Sequence, residues 1–77
     1  MTIVEAELTA VVWKMLVQVG DAVDEGDELL ILESMKMEIP VEAESPGIVH
    51  EIHVSEGDAV SPGAPVVTLR PGSGASL

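Results

Sequence analysis

The sequence predicts an all-β domain: short antiparallel strands in two small packed sheets or a flattened barrel, built as two similar halves about a pseudo-twofold axis. Three observations predict it. The apolar 47% of the chain contains no Phe or Tyr and one Trp, so Val, Leu, Ile, Ala and Met must make the core, and a β-branched bias favours strands. No window of a dozen residues carries sustained helical periodicity with caps. Finally, "VVWKMLVQVGDAVDEGDELLILE" from Val11 and "IVHEIHVSEGDAVSPGAPVVTLR" from Ile48 align at an offset of 37 residues. Gly20-Asp21-Ala22-Val23 recurs as Gly57-Asp58-Ala59-Val60, and Gly26 matches Gly63. Leu29-Leu30 matches Val66-Val67, Leu32 matches Leu69, and Val12, Met15 and Val17 match Val49, Ile52 and Val54. The chain is one domain, because 77 residues cannot divide their apolar surface between two cores.

Each half reads as strand, turn, short extended link, turn, strand. The strands are expected over 11–17, 29–33, 37–43, 48–54 and 65–69, where β-branched residues are bounded by Gly, Asp, Pro or Ser. Each Gly-Asp dipeptide supplies a residue that accepts positive φ and a carboxylate that bonds its own backbone. Pro46-Gly47 marks a further turn. The tail from Pro71, "PGSGASL", is Gly/Ser-rich, so residues 1–70 are expected to form the domain and 71–77 a flexible C-terminal tail.

Strands 29–33 and 37–43 follow one another almost directly. If they pair, the chain reverses within Ser34 to Met37, with Met35 and Lys36 at the tip. Two-residue hairpins need positive φ at both central residues and favour pairs such as Asn-Gly. A Met-Lys tip breaks that rule, and local rules are broken where function needs a particular side chain. Lys36 is therefore a presented group. An exposed ammonium outside any desolvated pocket is a poor base or Schiff-base nucleophile, but it suits acylation by a second enzyme that brings both the activated acyl group and the base.

"ESMKMEIPV" resembles the biotin-attachment motif of biotin carboxyl carrier proteins and the biotinyl domains of biotin-dependent carboxylases, and the likeness runs over nearly the whole chain from Val12 to Leu69. The resemblance implies a flattened β-barrel, or barrel-sandwich hybrid, of two four-stranded antiparallel sheets with the modified lysine on a tight hairpin. It implies biotin in amide linkage to Lys36, with Met35 and Met37 as flanking recognition residues and Glu33, Ser34 and Glu38 in the surface a ligase reads. It also implies a non-catalytic carrier that is a substrate of biotin protein ligase. A biotin carboxylase subunit uses ATP and bicarbonate to load the arm, and a carboxyltransferase subunit passes the carboxyl group on, most commonly to an acyl-CoA as in fatty acid biosynthesis.

Three features depart from the family. Thr9-Ala10 stands where the second half has Pro46-Gly47, no inserted thumb lies between Val11 and Gly26, and no Ala/Pro-rich linker precedes the domain. A free-standing, monomeric carrier is expected. The alternative is a lipoyl carrier of an oxo-acid dehydrogenase or glycine-cleavage system. Those lysines are typically preceded by Asp and followed by Ala or Ser, whereas Lys36 lies between methionines.

Composition limits the remaining choices. Fourteen acids against three bases give a net charge of −11, which repels phosphate backbones and anionic headgroups, so neither nucleic acid nor membrane is an expected partner. The acids read as a solvated surface, or as one suited to basic partner enzymes. With no cysteine and no apparent signal peptide, the expected location is cytoplasmic. His50 and His53 have an odd separation that puts them on opposite faces of a strand, so no metal site is expected and both read as solvated. Trp13 reads as a partly buried packing residue and Lys14 as a surface lysine.

Overall fold

In a computed structural model, which describes residues 1–72, the chain forms eight strands and no helix among the described residues. They are β1 (Thr2–Glu5), β2 (Ala10–Met15), β3 (Ala22–Val23), β4 (Glu28–Ser34), β5 (Met37–Glu42), β6 (Gly47–Ile52), β7 (Ala59–Val60) and β8 (Pro65–Arg70). They pair as two four-stranded antiparallel sheets, β1-β8-β6-β3 and β5-β4-β2-β7. The sheets form a flattened barrel-sandwich without closing into a continuous barrel. The five strands expected from sequence are present, with ends shifted by one or two residues. β1 is an addition, and β3 and β7 are paired strands where only extended links were expected.

Advancing 37 residues carries β2, β3 and β4 onto β6, β7 and β8, and β1 onto β5, which exchanges the two sheets. Hydrogen bonds obey the same operation. Gly20 N donates to Val49 O at 2.8 Å, and Gly57 N donates to Val12 O at 2.8 Å. Val49 N donates to Asp21 O and Val12 N to Asp58 O, again both at 2.8 Å. Each Gly-Asp turn is thus stitched to the opposite half, and each half lends its short strand to the other half's sheet. The turns form because Gly20 and Gly57 adopt φ of 99° and 95°, which glycine alone accepts cheaply. Asp21 and Asp58 then accept bonds from the amides of Gln18 and Ser55.

The core is made of equivalent pairs: Val12 with Val49, Leu32 with Leu69, Leu29-Leu30 with Val66-Val67, and Val23 with Val60, all buried. With aliphatic side chains only, the two sheets must interlock closely. Ala6 and Ala43 are buried at equivalent corners, where each binds the glycine-containing turn of the other half. Gly63 N donates to Ala6 O, and Gly26 N donates to Ala43 O. Ala10 is accommodated at the start of β2, whereas a Cβ at the equivalent Gly47 would stand 2.9 Å from the Arg70 carbonyl oxygen.

Two expectations need correction. Trp13 is exposed, because the adjacent Val12 points into the core and Trp13 therefore faces away from it, at the bulge where the β2–β4 register shifts. His53 lies beyond β6, past a matching bulge between Val49 and Glu51, so strict alternation does not apply to the His50–His53 pair. Nor is His53 simply solvated: its Nε2 and the buried Thr68 Oγ1 share a 2.6 Å hydrogen bond. Among the described residues no His/Cys/Asp/Glu group is arranged to hold a metal, and no helix could cross a membrane. Of the expected tail, Gly72 packs on the Ile48 side chain, and residues 73–77 lie outside the described part.

Candidate functional site

β4 reads Glu-Leu-Leu-Ile-Leu-Glu-Ser, and its buried Leu30 and Leu32 fix which face meets the core. Once that face is chosen, a slip of one residue would expose both leucines, so the pairing register is determined. Leu32 stands opposite Ile39, Glu33 opposite Glu38, and Ser34 opposite Met37. Only Met35 and Lys36 remain to turn the chain. Their φ angles are 52° and 66°, the positive pair that a two-residue hairpin of this kind requires. They are also the only non-glycine residues with positive φ among those described.

That conformation costs an ordinary L-residue roughly 1–2 kcal/mol. Burial cannot compensate, because Met35 is 92% exposed and Met37 63% exposed. Neither methionine joins the core. Lys36 is exposed as well, and among the described residues no carboxylate stands within salt-bridge distance of its Nζ. Its ammonium is therefore not held by a carboxylate. Glu33 and Glu38 face each other across the strands, an arrangement of like charges that weakens a sheet. The hairpin end thus departs from what stability favours at two successive levels, turn chemistry and cross-strand pairing.

The sequence-predicted residues Glu33, Ser34, Met35, Lys36, Met37 and Glu38 are brought together here. All six lie on the tip or its last two paired rows. A primary amine held at the end of a rigid sheet, with open access and no ion pair, fits a covalently attached arm. It offers no pocket for catalysis. Lys14, the other lysine, belongs to β2 and places its Nζ 5.6 Å from the Trp13 ring centroid.

A groove of about 610 Å³ lies elsewhere, between the edge strands β1 and β5. Its walls are two copies of Val-Glu-Ala-Glu, at Val4 to Glu7 and Val41 to Glu44. Lys36 is not part of it. The alignment from Val11 did not reach the first copy, although the four-residue identity at the same offset was there to be read.

Comparison with known proteins identifies the family. Residues 2–69 match the family model described as "Biotin-requiring enzyme". A biotin/lipoyl attachment protein from Bacillus subtilis is 46% identical over 44 residues, covering 57% of this chain and 60% of that protein. Biotinylated protein TB7.3 of Mycobacterium bovis is 55% identical over 40 residues, covering 52% and 56%. Among solved structures, urea carboxylase from Kluyveromyces lactis superimposes with a TM-score of 0.85 at 36% identity over 90% of this chain. A single-chain, multi-domain long-chain acyl-CoA carboxylase gives 0.81 at 26% identity over 86%. The matches cover only 6% and 7% of those two carboxylase chains, and little more than half of each curated relative. This chain belongs to the biotin-requiring family as a carrier domain that is not itself catalytic, and its cofactor is covalently bound biotin.

Proposed function

We propose that Lys36 is the attachment residue, its Nζ joined to biotin by an amide bond. The carrier would serve a biotin carboxylase and a carboxyltransferase in turn, in a carboxylase whose acceptor is an acyl-CoA. The observation that carries the assignment is the two-residue tip, where the exposed amine of Lys36 ends a sheet whose register cannot slip. When bound, biotin supplies a ring nitrogen able to hold a carboxyl group. The chain's own residues hold the arm's root still and leave its path clear. Tethering in place of free diffusion gives millimolar effective concentrations for short flexible connections.

Attachment itself falls to a biotin protein ligase, which must bring the activated acyl group and remove a proton from the Lys36 ammonium. Met35 and Met37 give that enzyme an uncharged frame around the lysine, with Ser34, Glu33 and Glu38 below. The likeness to long-chain acyl-CoA carboxylase supports the acyl-CoA reading, and a role in fatty acid biosynthesis is the proposal that goes with it. The likeness to urea carboxylase favours a second reading in which the acceptor is urea. In either case the carrier works as a monomer in the cytoplasm, where ATP and bicarbonate are available to its partners.

Intact-mass spectrometry after incubation with ligase, biotin and ATP tests the assignment. Wild type and Lys14→Arg should each gain one biotin, and Lys36→Arg none, because a guanidinium is not acylated. Modification of Lys36→Arg overturns the assignment. Uptake of lipoate in place of biotin would shift the reading to a lipoyl carrier.

A further inference from the structure

The pseudo-twofold axis supplies an internal control, since two sets of positions share one backbone arrangement and differ only in what function has required. On the outer face of β5-β4-β2-β7, the sheet that ends in Lys36, stand Val11, Trp13, Leu16 and Ile31. Val11 is paired with Glu33 and Lys14 with Ile31, while the neighbouring Val12, Leu30 and Leu32 point into the core. Leu16 lies between Met15 and Val17, which both pack on the core, so it faces outward. Val11, Trp13 and Leu16 are each more than 40% exposed.

The equivalents of Trp13, Leu16 and Ile31 on the other sheet are His50, His53 and Thr68. There these three positions are polar, and His53 and Thr68 satisfy each other, although the same face also carries the exposed Ile3 opposite Thr68 and Ile48 as the equivalent of Val11. A fold that accepts His, His and Thr at these places does not itself demand Trp, Leu and Ile. At these three positions, 13, 16 and 31, the apolar residue occurs only on the face that leads to the lysine. Along the β4 direction, Ile31 is five residues from Lys36, a span of at most roughly 17 Å at about 3.3 Å per residue. One globular enzyme covering the tip can reach it.

We propose that this face, through Val11, Trp13, Leu16 and Ile31, is the surface on which biotin protein ligase seats the domain. The inference rests on the reading of Lys36 as the attachment residue. A ligase is the occupant because it must find its lysine before any biotin is present to be recognised, so its selectivity has to come from protein surface continuous with the tip. The chemistry expected of the ligase is an apolar patch to cover Trp13 and its neighbours, flanked by cations toward the hairpin that meet Glu33 and Glu38. That pairing also offsets the repulsion between the two carboxylates, which face each other across the strands. Aromatic residues are enriched among the few that dominate interface energy, so Trp13 is the expected anchor.

The test exchanges one face for the other. Trp13→His, Leu16→His and Ile31→Thr are combined in one variant, each new residue being the one that already occupies the equivalent position. Steady-state biotinylation by the organism's own ligase is followed at varied carrier concentration. The variant should show KM for the carrier raised about tenfold or more with kcat within twofold of wild type, while His50→Ala leaves both unchanged. If the triple variant does not fold, Trp13→Ala alone should raise KM several-fold. An unchanged KM in a folded variant, with normal modification at Lys36, overturns the docking surface alone. A wild-type chain that takes up no biotin overturns the reading of Lys36, and this inference with it.

Discussion

Replacing Met35-Lys36 by Asn-Gly should make the protein more stable while abolishing its modification. Both residues are held at positive φ, and each such non-glycine residue costs roughly 1–2 kcal/mol. Asn tolerates the left-handed region better than Met, and Gly adopts it freely. Against this, glycine adds freedom to the unfolded chain, a cost of about 0.4–1 kcal/mol. Burial does not enter, because Met35 is 92% exposed and Lys36 is exposed too. Losing the lysine charge near Glu33 and Glu38 costs at most a few tenths of a kcal/mol at such an exposed position. The net gain is about 1–2 kcal/mol. For a domain of this size each kcal/mol moves Tm by about 4–8 °C, so a rise of roughly 4–16 °C is expected in thermal unfolding followed by far-UV circular dichroism. A Tm equal to or below wild type would show that the tip is not strained, and the argument that Lys36 is presented at a cost would fail. Met35→Asn alone supplies the complementary reading, since it should raise Tm by a smaller amount and still accept biotin at Lys36.

The other expectations concern the frame and the arm. Gly20→Ala and Gly57→Ala should each destabilise by about 1–3 kcal/mol, and by similar amounts, because their φ angles nearly coincide and neither has an atom near the added Cβ; urea titration of both variants checks this. Thr68→Val should cost about 0.5–1.5 kcal/mol in the same titration, through loss of the bond to His53. Biotinylation should leave Tm within a degree or two, since the tip residues make no core contacts, yet retard elution from an anion exchanger because one positive charge is lost from a chain of net −11.

Much of this architecture was legible in the sequence because it is written twice. The 37-residue offset located equivalent strands, both Gly-Asp turns and almost every pair in the core. The hairpin followed from the short distance between two strands whose buried faces allow one register. What escaped had physical reasons. β3 and β7 are two residues long, too short to show any period, and become strands only through bonds to the opposite half. β1 went unrecognised although Val-Glu-Ala-Glu at Val4 repeats at Val41, because the alignment began at Val11. The two histidines were placed on opposite faces because a bulge between Val49 and Glu51 adds a residue and breaks the alternation used to assign them, whereas Trp13 was read as packing on its size and apolar character alone.

The same duplication separates what the fold requires from what function adds. Where both halves keep the same kind of residue, as at Leu32 and Leu69 or Gly20 and Gly57, packing or backbone geometry accounts for the choice. Where they differ on one backbone, the difference needs another cause. Positions 13, 16 and 31 differ from 50, 53 and 68 in this way, and the sequence alone could have shown it once the offset was known. At the tip the contrast is sharper, since Gly72, 37 residues beyond Met35, lies packed on Ile48 without positive φ, while Met35 stands in solvent. The strained, exposed Met35-Lys36 turn therefore has no counterpart among the described residues of the other half. The sheet does not require that pair, and the arm proposed for Lys36 accounts for it.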